Sequence, residues 1–440
     1  MKLKMDYALG SAIIILFLFS VENSHAIPAF SRANKVECST CHTIFPELNE
    51  YGEAFLKNAY VYSGKDKKQT TEKNATDPVA AVDDVKPEGI VLSGIPEMIP
   101  ISFTANLNGT YIRNAVNEFD FSTRALKLNA GGNFREKAGF FGTYLVYTEN
   151  TDAITNTGQT PTNLTGKDDI GELFVIWRHA LESPLNVKVG RFQPKLGLWK
   201  SNNKLSITNP YATYSYTVGV SPFTLEQPQD AVEANMIFVN RIFMAGGVVN
   251  RKNQNTKEWY VHASVKLGGA DYLANEPEID LNKEESILDY LALTVGGYGY
   301  VGTNGDSNTV AGVTPRQNDY YRTGVDIELL YKLFRLKLSG IIGNDDNPLL
   351  SNLAPPVKTY AGVIEGEYII LKNLMGSLRF EYVDDGVNVY RRFIPIIAYT
   401  PIENLKVALE YKHEYGIAFK SAGNTEIANQ IGTLGVTFGF

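Results

Sequence analysis

Cysteine is nearly absent from the chain. Among 440 residues there are 2 cysteines, Cys38 and Cys41, and both stand in the short stretch ECSTCH near the amino terminus. A scaffold built on several disulfides is therefore excluded, and at most one bridge could form within the chain. The remainder of the sequence has no thiol and must fold without one.

Long apolar runs are also missing, except near the amino terminus. There, Lys2 and Lys4 precede a mainly apolar stretch, 8–21, and the Ser-His-Ala sequence at 24–26 has the small-x-small pattern of a cleavage site. The apolar stretch is shorter than the roughly 20 residues that a membrane-spanning helix needs. We therefore predict that residues 1–26 are a cleaved export signal, and no later segment is apolar enough to predict a transmembrane helix.

The chain also has no excess of basic residues. Lys and Arg number 41 against 48 Asp and Glu, and the net charge of -7 argues against nucleic acid as a partner. Glycine and aromatic residues are abundant instead, with 38 Gly, 25 Tyr and 22 Phe. Together with short alternating segments, this composition is typical of an all-β protein.

Two segments precede the alternating part of the chain. Residues 27–62 are predicted to form a small helical unit, because Pro46 suits the first turn of a helix and apolar residues then recur at steps of three and four. A helix this short needs an apolar partner to be stable in water. Residues 63–97 are polar, charged and without a period, and we interpret them as a linker.

From residue 98 to 440 the apolar period becomes two. We count about 16 alternating segments, beginning with ISFTANLNGTYIR and ending with NQIGTLGVTFGF, with turn-forming residues between them. Their length suits transmembrane strands, and the last one ends in Phe440, as the terminal strands of outer-membrane barrels end in an aromatic residue. A propeller would show a repeat of blade length, which is missing. We predict a mainly β fold, an antiparallel outer-membrane β-barrel preceded by the helical unit, with a water-soluble sandwich as the alternative.

Aromatic residues near the strand ends are expected to form girdles at the two membrane interfaces. Outer-membrane lipid is accordingly a predicted partner of the barrel. The tyrosines assigned to the girdles are Tyr111, Tyr147, Tyr298, Tyr300, Tyr331, Tyr382, Tyr399 and Tyr415.

The two cysteines are followed at once by His42. Cys-x-x-Cys-His is the spacing for covalent haem attachment, in which both thiols add to vinyl groups and the histidine ligates the iron. A disulfide would need no following histidine, a thioredoxin-like pair would want a βαβ setting, and a zinc site would need a fourth ligand. We predict one haem c bound by Cys38, Cys41 and His42, which fits export because this haem is attached outside the cytoplasm. The side chains expected to pack on the porphyrin are Phe45, Leu48, Tyr51, Phe55 and Leu56.

A second axial ligand is harder to find. Residues 27–62 contain no methionine and no histidine other than His42, so a second ligand would come from elsewhere or be weak or absent. Met98, just before the first predicted strand, is the first candidate. Further candidates in the barrel are His179, His262 and His413.

Motif and barrel together resemble the outer-membrane cytochrome–porin fusions of iron-oxidising bacteria. The specific part of the resemblance is PAFSRANKVECSTCHTIFPELNEYGEAF, whereas the barrel resembles the family only in pattern. The shared flanking positions are Pro28-Ala29-Phe30, Arg32, Pro46, Leu48-Asn49, Gly52 and Phe55. The resemblance implies that the haem unit plugs the barrel, either within the lumen or at its periplasmic side.

The resemblance also implies a function: an electron conduit from extracellular Fe(II) to periplasmic cytochromes, with possible Fe(II):cytochrome c oxidoreductase activity. Family members also occur in bacteria not known to oxidise iron, so two alternatives stay open. One is outward electron transfer to an extracellular acceptor, and the other is a diffusion porin gated by its haem unit.

Carboxylates suit iron as a hard cation. The acidic pairs that could handle it are Asp168-Asp169, Glu284-Glu285, Asp345-Asp346 and Asp384-Asp385.

Overall fold

The structure is a computed structural model. Within its described ranges, no helix is both long and apolar enough to cross a bilayer. The predicted signal (1–26), the predicted linker (63–97) and Met98 lie outside the described residues. The structure describes residues 30, 36–61, 101–134, 137–148, 169–199, 204–207, 211–219, 221–224, 228–250, 256–276, 286–305, 317–351, 355–418 and 425–439.

The first unit is less helical than predicted. It has a one-turn 3-10 helix (Cys38–Thr40), two short paired strands, β1 (His42–Ile44) and β2 (Glu47–Leu48), and the helix α1 (Glu50–Lys57). The expectation that Pro46 lies in the first turn of the helix is wrong, since it lies in the turn between β1 and β2. The helix begins four residues later because Asn49 caps it, its side chain accepting a hydrogen bond from the Gly52 N–H.

Sixteen strands close into one barrel, in which every neighbouring pair is antiparallel. The prediction of a 16-stranded antiparallel barrel is therefore confirmed. The barrel strands are β3 (Ile101–Ile112), β4 (Phe119–Phe134), β5 (Ala138–Thr148), β6 (Asp169–Trp177), β7 (Leu185–Phe192), β10 (Gln229–Phe238), β11 (Ile242–Asn250), β12 (Lys257–Gly268), β13 (Leu291–Gly305), β14 (Gln317–Tyr331), β15 (Phe334–Asp345), β16 (Val357–Leu371), β17 (Leu374–Asp384), β18 (Val389–Ile402), β19 (Leu405–Ala418) and β20 (Thr425–Gly439). The remaining strands, β8 (Ser215–Val218) and β9 (Ser221–Thr224), pair only with each other. One-turn 3-10 helices span Ala180–Glu182, Ala212–Tyr214 and Ile287–Tyr290.

The barrel is apolar outside and polar inside. Burial alternates along β12 from Lys257 to Leu267, so that Trp259 and Val261 are exposed on the outside while His262 and Ser264 are buried towards the lumen. The same pattern holds around the wall, where many large apolar side chains are exposed and many charged ones are buried. This arrangement is the reverse of a water-soluble sandwich and is that of a transmembrane barrel.

The girdle prediction is wrong for two of its tyrosines. Tyr298 and Tyr300 are only 5% and 4% exposed and face the lumen, because the pleat of β13 turns them inwards. Tyr111 and Tyr415, at 45% and 38% exposure, do face outwards near strand ends.

The two ends of the barrel differ. At one end, two-residue turns join β14 to β15, β16 to β17 and β18 to β19, and both the start of β3 and the end of β20 lie there. At the other end, long connections join β5 to β6 and β7 to β10. In bacterial barrels the short turns face the periplasm and the long loops face the exterior. We call the two rims the turn end and the loop end.

Candidate functional site in the barrel lumen

The amino-terminal unit lies inside the barrel at the turn end. It is hydrogen-bonded to three separate parts of the rim. The Cys38 N–H donates to Glu403 Oε2 at 3.1 Å, and Asn133 Nδ2 donates to the Tyr60 carbonyl at 3.0 Å. The side-chain Nδ2 of Asn58 donates to the Tyr272 carbonyl at 2.8 Å. Glu403, Asn133 and Tyr272 belong to three different connections or strand ends around the barrel. The unit therefore fills this mouth as a plug, and we use "the plug" for Phe30 and residues 36–61.

A buried ion-pair network holds one side of the plug. Glu47 is the first residue of β2, and its carboxylate pairs with Lys337 and, at 3.1 Å, with Arg335, both on β15. Lys337 also pairs with Glu367 of β16 at 2.5 Å, and Arg335 pairs with Glu328 of β14 at 2.5 Å. Buried charges are tolerated only when they are paired in this way. We call these five residues the Glu47 network.

Aromatic packing holds the opposite side. The ring of Tyr60 stacks on Phe30 at 5.0 Å and lies 5.6 Å from Phe55, and 6.0 Å from Phe141 of the barrel wall. Phe55 was expected to face the porphyrin, but it packs here between plug and wall. Of the side chains expected around the porphyrin, Phe45 contacts His42, with ring centroids 5.3 Å apart.

The motif residues are held in a compact turn. Cys41 N–H donates to the Cys38 carbonyl at 3.1 Å, and the two thiols are not joined in a disulfide. The helix α1 packs directly on the motif, because a Cβ atom at Gly52 would lie 2.1 Å from the Cys41 carbonyl oxygen. The motif and the helix therefore form one rigid piece.

The ring of His42 is oriented by the backbone. Its Nδ1 lies 3.3 Å from the Glu47 carbonyl oxygen, which can only accept, so the proton is assigned to Nδ1. Nε2 then carries the lone pair. A backbone carbonyl on one ring nitrogen and a lone pair on the other is the arrangement that histidine metal ligands use.

Burial sets the protonation of the motif. It lowers the pKa of His42 to about 4, so the imidazole is neutral at pH 7 and able to ligate a metal. Burial, followed by the nearby Glu403 carboxylate, raises the pKa of Cys38 to about 12. Thioredoxin-like cysteines are reactive because their pKa is lowered, so the environment of Cys38 does not suit that chemistry.

The residues fit a covalently held haem better than a metal ion alone. Among the residues that the structure describes, no three His, Cys, Asp or Glu side chains come together as ligands of one ion. Two thiols that are not in a disulfide and are separated by two residues, next to a neutral, oriented histidine, are what haem c attachment requires. Cys38, Cys41 and His42 would hold the group.

The candidate distal ligands are placed differently from one another. His179 lies in the exposed turn after β6, and His413 lies on the outer face of β19 beside Tyr415. His262 is fully buried on the lumen side, where its Nδ1 is 2.6 Å from the Leu196 carbonyl oxygen and its Nε2 has no partner in the described residues. No contact joins His262 to His42 in the part of the chain that the structure describes.

A feature that the sequence did not reveal narrows the lumen further. The described parts of the connection between β7 and β10, residues 193–199, 204–207 and 211–219, fold inwards, and we call them the inner loop. It is hydrogen-bonded across the lumen to carboxylates on four strands. Leu198 N–H donates to Asp326 of β14 at 3.1 Å, and Tyr211 OH donates to Glu365 of β16 at 2.5 Å. Ala212 N–H donates to Glu381 of β17 at 3.1 Å, and Ser206 OH donates to Glu410 of β19 at 2.6 Å. Its length and its several aromatic residues were the available signal.

Plug and inner loop pack on each other. Phe55 and Tyr60 of the plug share one buried cluster with Leu196 and Leu198 of the inner loop. Burial, followed by the proximity of the Lys57 ammonium, lowers the pKa of Lys195 in the loop to about 8. The two segments therefore occupy the lumen together.

In the part of the chain that the structure describes, carboxylates of two acidic pairs are already engaged by protein groups and are not open to an iron ion. Asp345 is buried in an ion pair with Arg322 at 2.6 Å, and Asp385 accepts hydrogen bonds from the backbone of the following turn, at Val387 and Asn388. Asp168 and the pair at 284–285 lie outside the described residues. Asp345 and Asp385 thus stabilise structure.

Comparison with known proteins identifies the fold. No family model matches the sequence, and no curated protein matches it. Among solved structures, the anion-selective porin from Comamonas acidovorans is similar with a TM-score of 0.52 and 9% identity, covering 78% of this chain and 99% of that one. OmpT, an outer membrane protein of Vibrio cholerae, and the outer membrane channel DcaP of Acinetobacter baumannii each give 0.51 and 10% identity over 78% of this chain and 97% of theirs. The chain has a porin-like barrel fold.

Proposed function

We propose that the protein is an outer-membrane electron conduit, in which one haem c on the plug passes electrons from extracellular Fe(II) to periplasmic cytochromes. The observation that carries the proposal is a Cys-x-x-Cys-His motif on a unit held inside a membrane barrel. Cys38 and Cys41 would form the thioether bonds, and His42 would ligate the iron through Nε2. When bound, haem c supplies one-electron redox chemistry at its iron.

The position of the plug supports exchange of electrons with a periplasmic protein. Cys38 is hydrogen-bonded to Glu403 in a turn at the turn end, which faces the periplasm in bacterial barrels. A periplasmic electron-transfer protein could therefore dock at this rim close to the motif. Because the apolar core of a membrane is about 30 Å thick, a redox centre inside the lumen shortens the distance from an extracellular donor. The activity would be that of an Fe(II):cytochrome c oxidoreductase.

The surroundings of the motif would tune the bound group. The Glu47 carbonyl orients His42, and the buried Glu47 side chain keeps this side of the plug closed by its ion pairs. Exclusion of solvent and nearby charges are the means by which a protein sets a haem potential.

A solute channel is the second candidate. The porin-like barrel favours it, since the similar structures include an anion-selective porin and an outer membrane channel. Open diffusion is opposed by the plug and the inner loop, which pack on each other in the lumen and narrow the path of a solute. A channel function would therefore require the plug to move, as a gate.

Proteoliposomes separate the candidates. The full mature protein is reconstituted with ferric cytochrome c enclosed, Fe(II) is added outside at neutral pH, and haem and cytochrome absorbance are followed. We expect rapid reduction of the plug haem and then of the enclosed cytochrome. Failure of Fe(II) to reduce the haem would overturn the iron proposal, and a midpoint potential well below the iron couple would favour outward transfer. Solute flux with a redox-inert haem would support the channel.

Matched variants test the motif. Cys38→Ser with Cys41→Ser should abolish covalent haem, seen as loss of haem absorbance on the denatured chain, and with it the iron-dependent signal. Ser39→Ala lies between the thiols and leaves both in place, so it should retain both properties. Covalent haem in the double Ser variant would contradict the assignment.

A further inference from the structure

A groove lies on the lipid-facing outside of the barrel, over β14 to β17. Gly340 of β15 pairs directly with Gly362 of β16, and a Cβ atom at Gly340 would meet no atom within 4 Å. The groove has a volume of about 320 Å³ and is lined mainly by apolar side chains, among them Val325, Ile364 and Phe380. On the same measure, a cavity needs only about 10–15 Å³ to hold one water molecule. The groove thus has room for a segment of a lipid acyl chain.

One row of paired residues leads from this groove to a cation. Gly362 pairs with Tyr382 of β17, Tyr382 pairs with Arg391 of β18, and Arg391 pairs with Tyr415 of β19. The guanidinium carbon of Arg391 lies 5.6 Å from the ring centroid of Tyr382 and 5.8 Å from that of Tyr415. The two rings hold the guanidinium between them by cation–π contacts.

The charge of Arg391 is not balanced by a carboxylate in the described residues. Its neighbour Arg392 points into the lumen and pairs with Glu414 at 2.5 Å, whereas Arg391 is exposed on the outer face. Lys358, exposed near the loop end of β16, is a second cation on this face. Asp384 also lies at this end, and its carboxylate accepts a backbone hydrogen bond within the following turn. An exposed guanidinium without a carboxylate partner, at the interface depth of a membrane, attracts anionic head groups.

We propose that the groove and Arg391 bind one phosphorylated glycolipid of the outer leaflet. Arg391 contacts the phosphate, for which its planar donors are suited, and an acyl chain lies along Gly340 and Gly362. Arg391 stands near the loop end of its strand, which is the outer-leaflet side. A second barrel packed here would instead bury the guanidinium of Arg391 against an apolar wall. The proposal does not depend on the haem.

The test measures lipid retained by the full protein. Native mass spectrometry of the detergent-purified holoprotein counts bound phosphorylated glycolipid, and titration in nanodiscs compares this glycolipid with phosphatidylglycerol. Three variants are compared with wild type: Arg391→Gln removes the charge, Gly340→Leu fills the groove, and Lys332→Gln removes a cation stacked on Tyr290 at the turn end. Heat-modifiable migration on gels verifies that each barrel is folded.

We expect one glycolipid on wild type and on Lys332→Gln, and affinity about fivefold weaker in Arg391→Gln. Gly340→Leu should also lose the lipid although its head-group site is intact. Equal retention in all four proteins would overturn the proposal. Equal affinity for phosphatidylglycerol would overturn the choice of glycolipid. If Gly340→Leu changes the oligomeric state and not the lipid count, the surface is a subunit interface and the proposal is wrong.

Discussion

Glu47 of the plug and Lys337 of the barrel wall form a fully buried ion pair, although 290 residues separate them in the sequence. The pair is not isolated, because Glu367 and Arg335 complete its charge balance. Desolvation opposes such a pair, so its main effect is to specify position: Glu47 is satisfied only when the plug sits in this place and orientation.

Removing the wall cation should loosen the plug. In Lys337→Met, Glu47 and Glu367 face each other with one cation fewer, which for a broken buried pair costs about 3–5 kcal/mol. We expect the plug to be released at lower urea concentration and to be cut faster by protease added from the turn end. Lys332→Met, at an exposed position in the adjacent turn, is the control. The double variant Glu47→Gln with Lys337→Met should lose less stability than the sum of the losses in Glu47→Gln and Lys337→Met, and strict additivity would contradict the pairing.

Gly52 should be required for attachment of the helix to the motif. A Cβ atom there would lie 2.1 Å from the Cys41 carbonyl oxygen, so Gly52→Ala must displace α1 from the motif. Overpacking of this kind costs about 1–3 kcal/mol. We expect less haem per barrel, measured as the ratio of haem to protein absorbance. Gly432→Ala on β20, where an added Cβ meets no atom within 4 Å, should leave the ratio unchanged.

The barrel could be predicted because its signal is local and repeated. Each strand alternates between lipid and lumen, so a segment such as Lys257–Gly268 shows its own period whatever its neighbours do. The Cys38–His42 motif is equally local. The period does not tell which face is the lumen when both faces carry tyrosine, and for this reason Tyr298 and Tyr300 were assigned to the wrong side.

The site's surroundings could not be predicted, since they depend on closure of the barrel. The partners of Glu47 lie on strands almost 300 residues away and have no sequence feature that marks them as facing the plug. The inner loop is recognisable as a long connection, but its inward fold depends on carboxylates such as Asp326 and Glu365, contributed by distant strands. Pro46 suggested a helix start, yet the Asn49 cap decided where α1 begins.

The plug should lose stability in acid through Glu53. Burial alone would raise the pKa of this carboxyl, but the ion pair with Lys57 at 2.5 Å outweighs it and lowers the pKa to about 2. Because the pKa of Glu53 is lower in the folded protein than in the unfolded chain, the ionised carboxylate stabilises the plug fully above about pH 4.5, the unfolded value. This contribution is lost as the pH falls from 4.5 towards 2. The expected loss is about 3 kcal/mol. Urea titrations of plug release at several pH values measure it. Glu53→Gln should flatten the dependence, whereas Glu37→Gln, at an exposed position, should retain it.

The inner loop should control ion conductance. Tyr214 OH donates to Asp326 at 2.9 Å and Tyr211 OH donates to Glu365, and both hydroxyls are buried. Replacing both tyrosines by Phe leaves buried carboxylates with fewer donors, at about 1–3 kcal/mol for each lost bond. We expect the loop to leave its position in part of the population. Conductance of the full protein in planar bilayers should then rise while the haem spectrum stays the same.

Tyr111→Phe is the matched control for conductance, because that hydroxyl lies on a side chain exposed on the outside of β3. It should behave as wild type. Unchanged conductance in the double Phe variant would contradict a narrowing role for the loop, since the plug alone would then set the flow of ions. A simultaneous change in haem absorbance would mean that the plug depends on the loop for its own position, as the shared cluster of Phe55 with Leu196 and Leu198 allows.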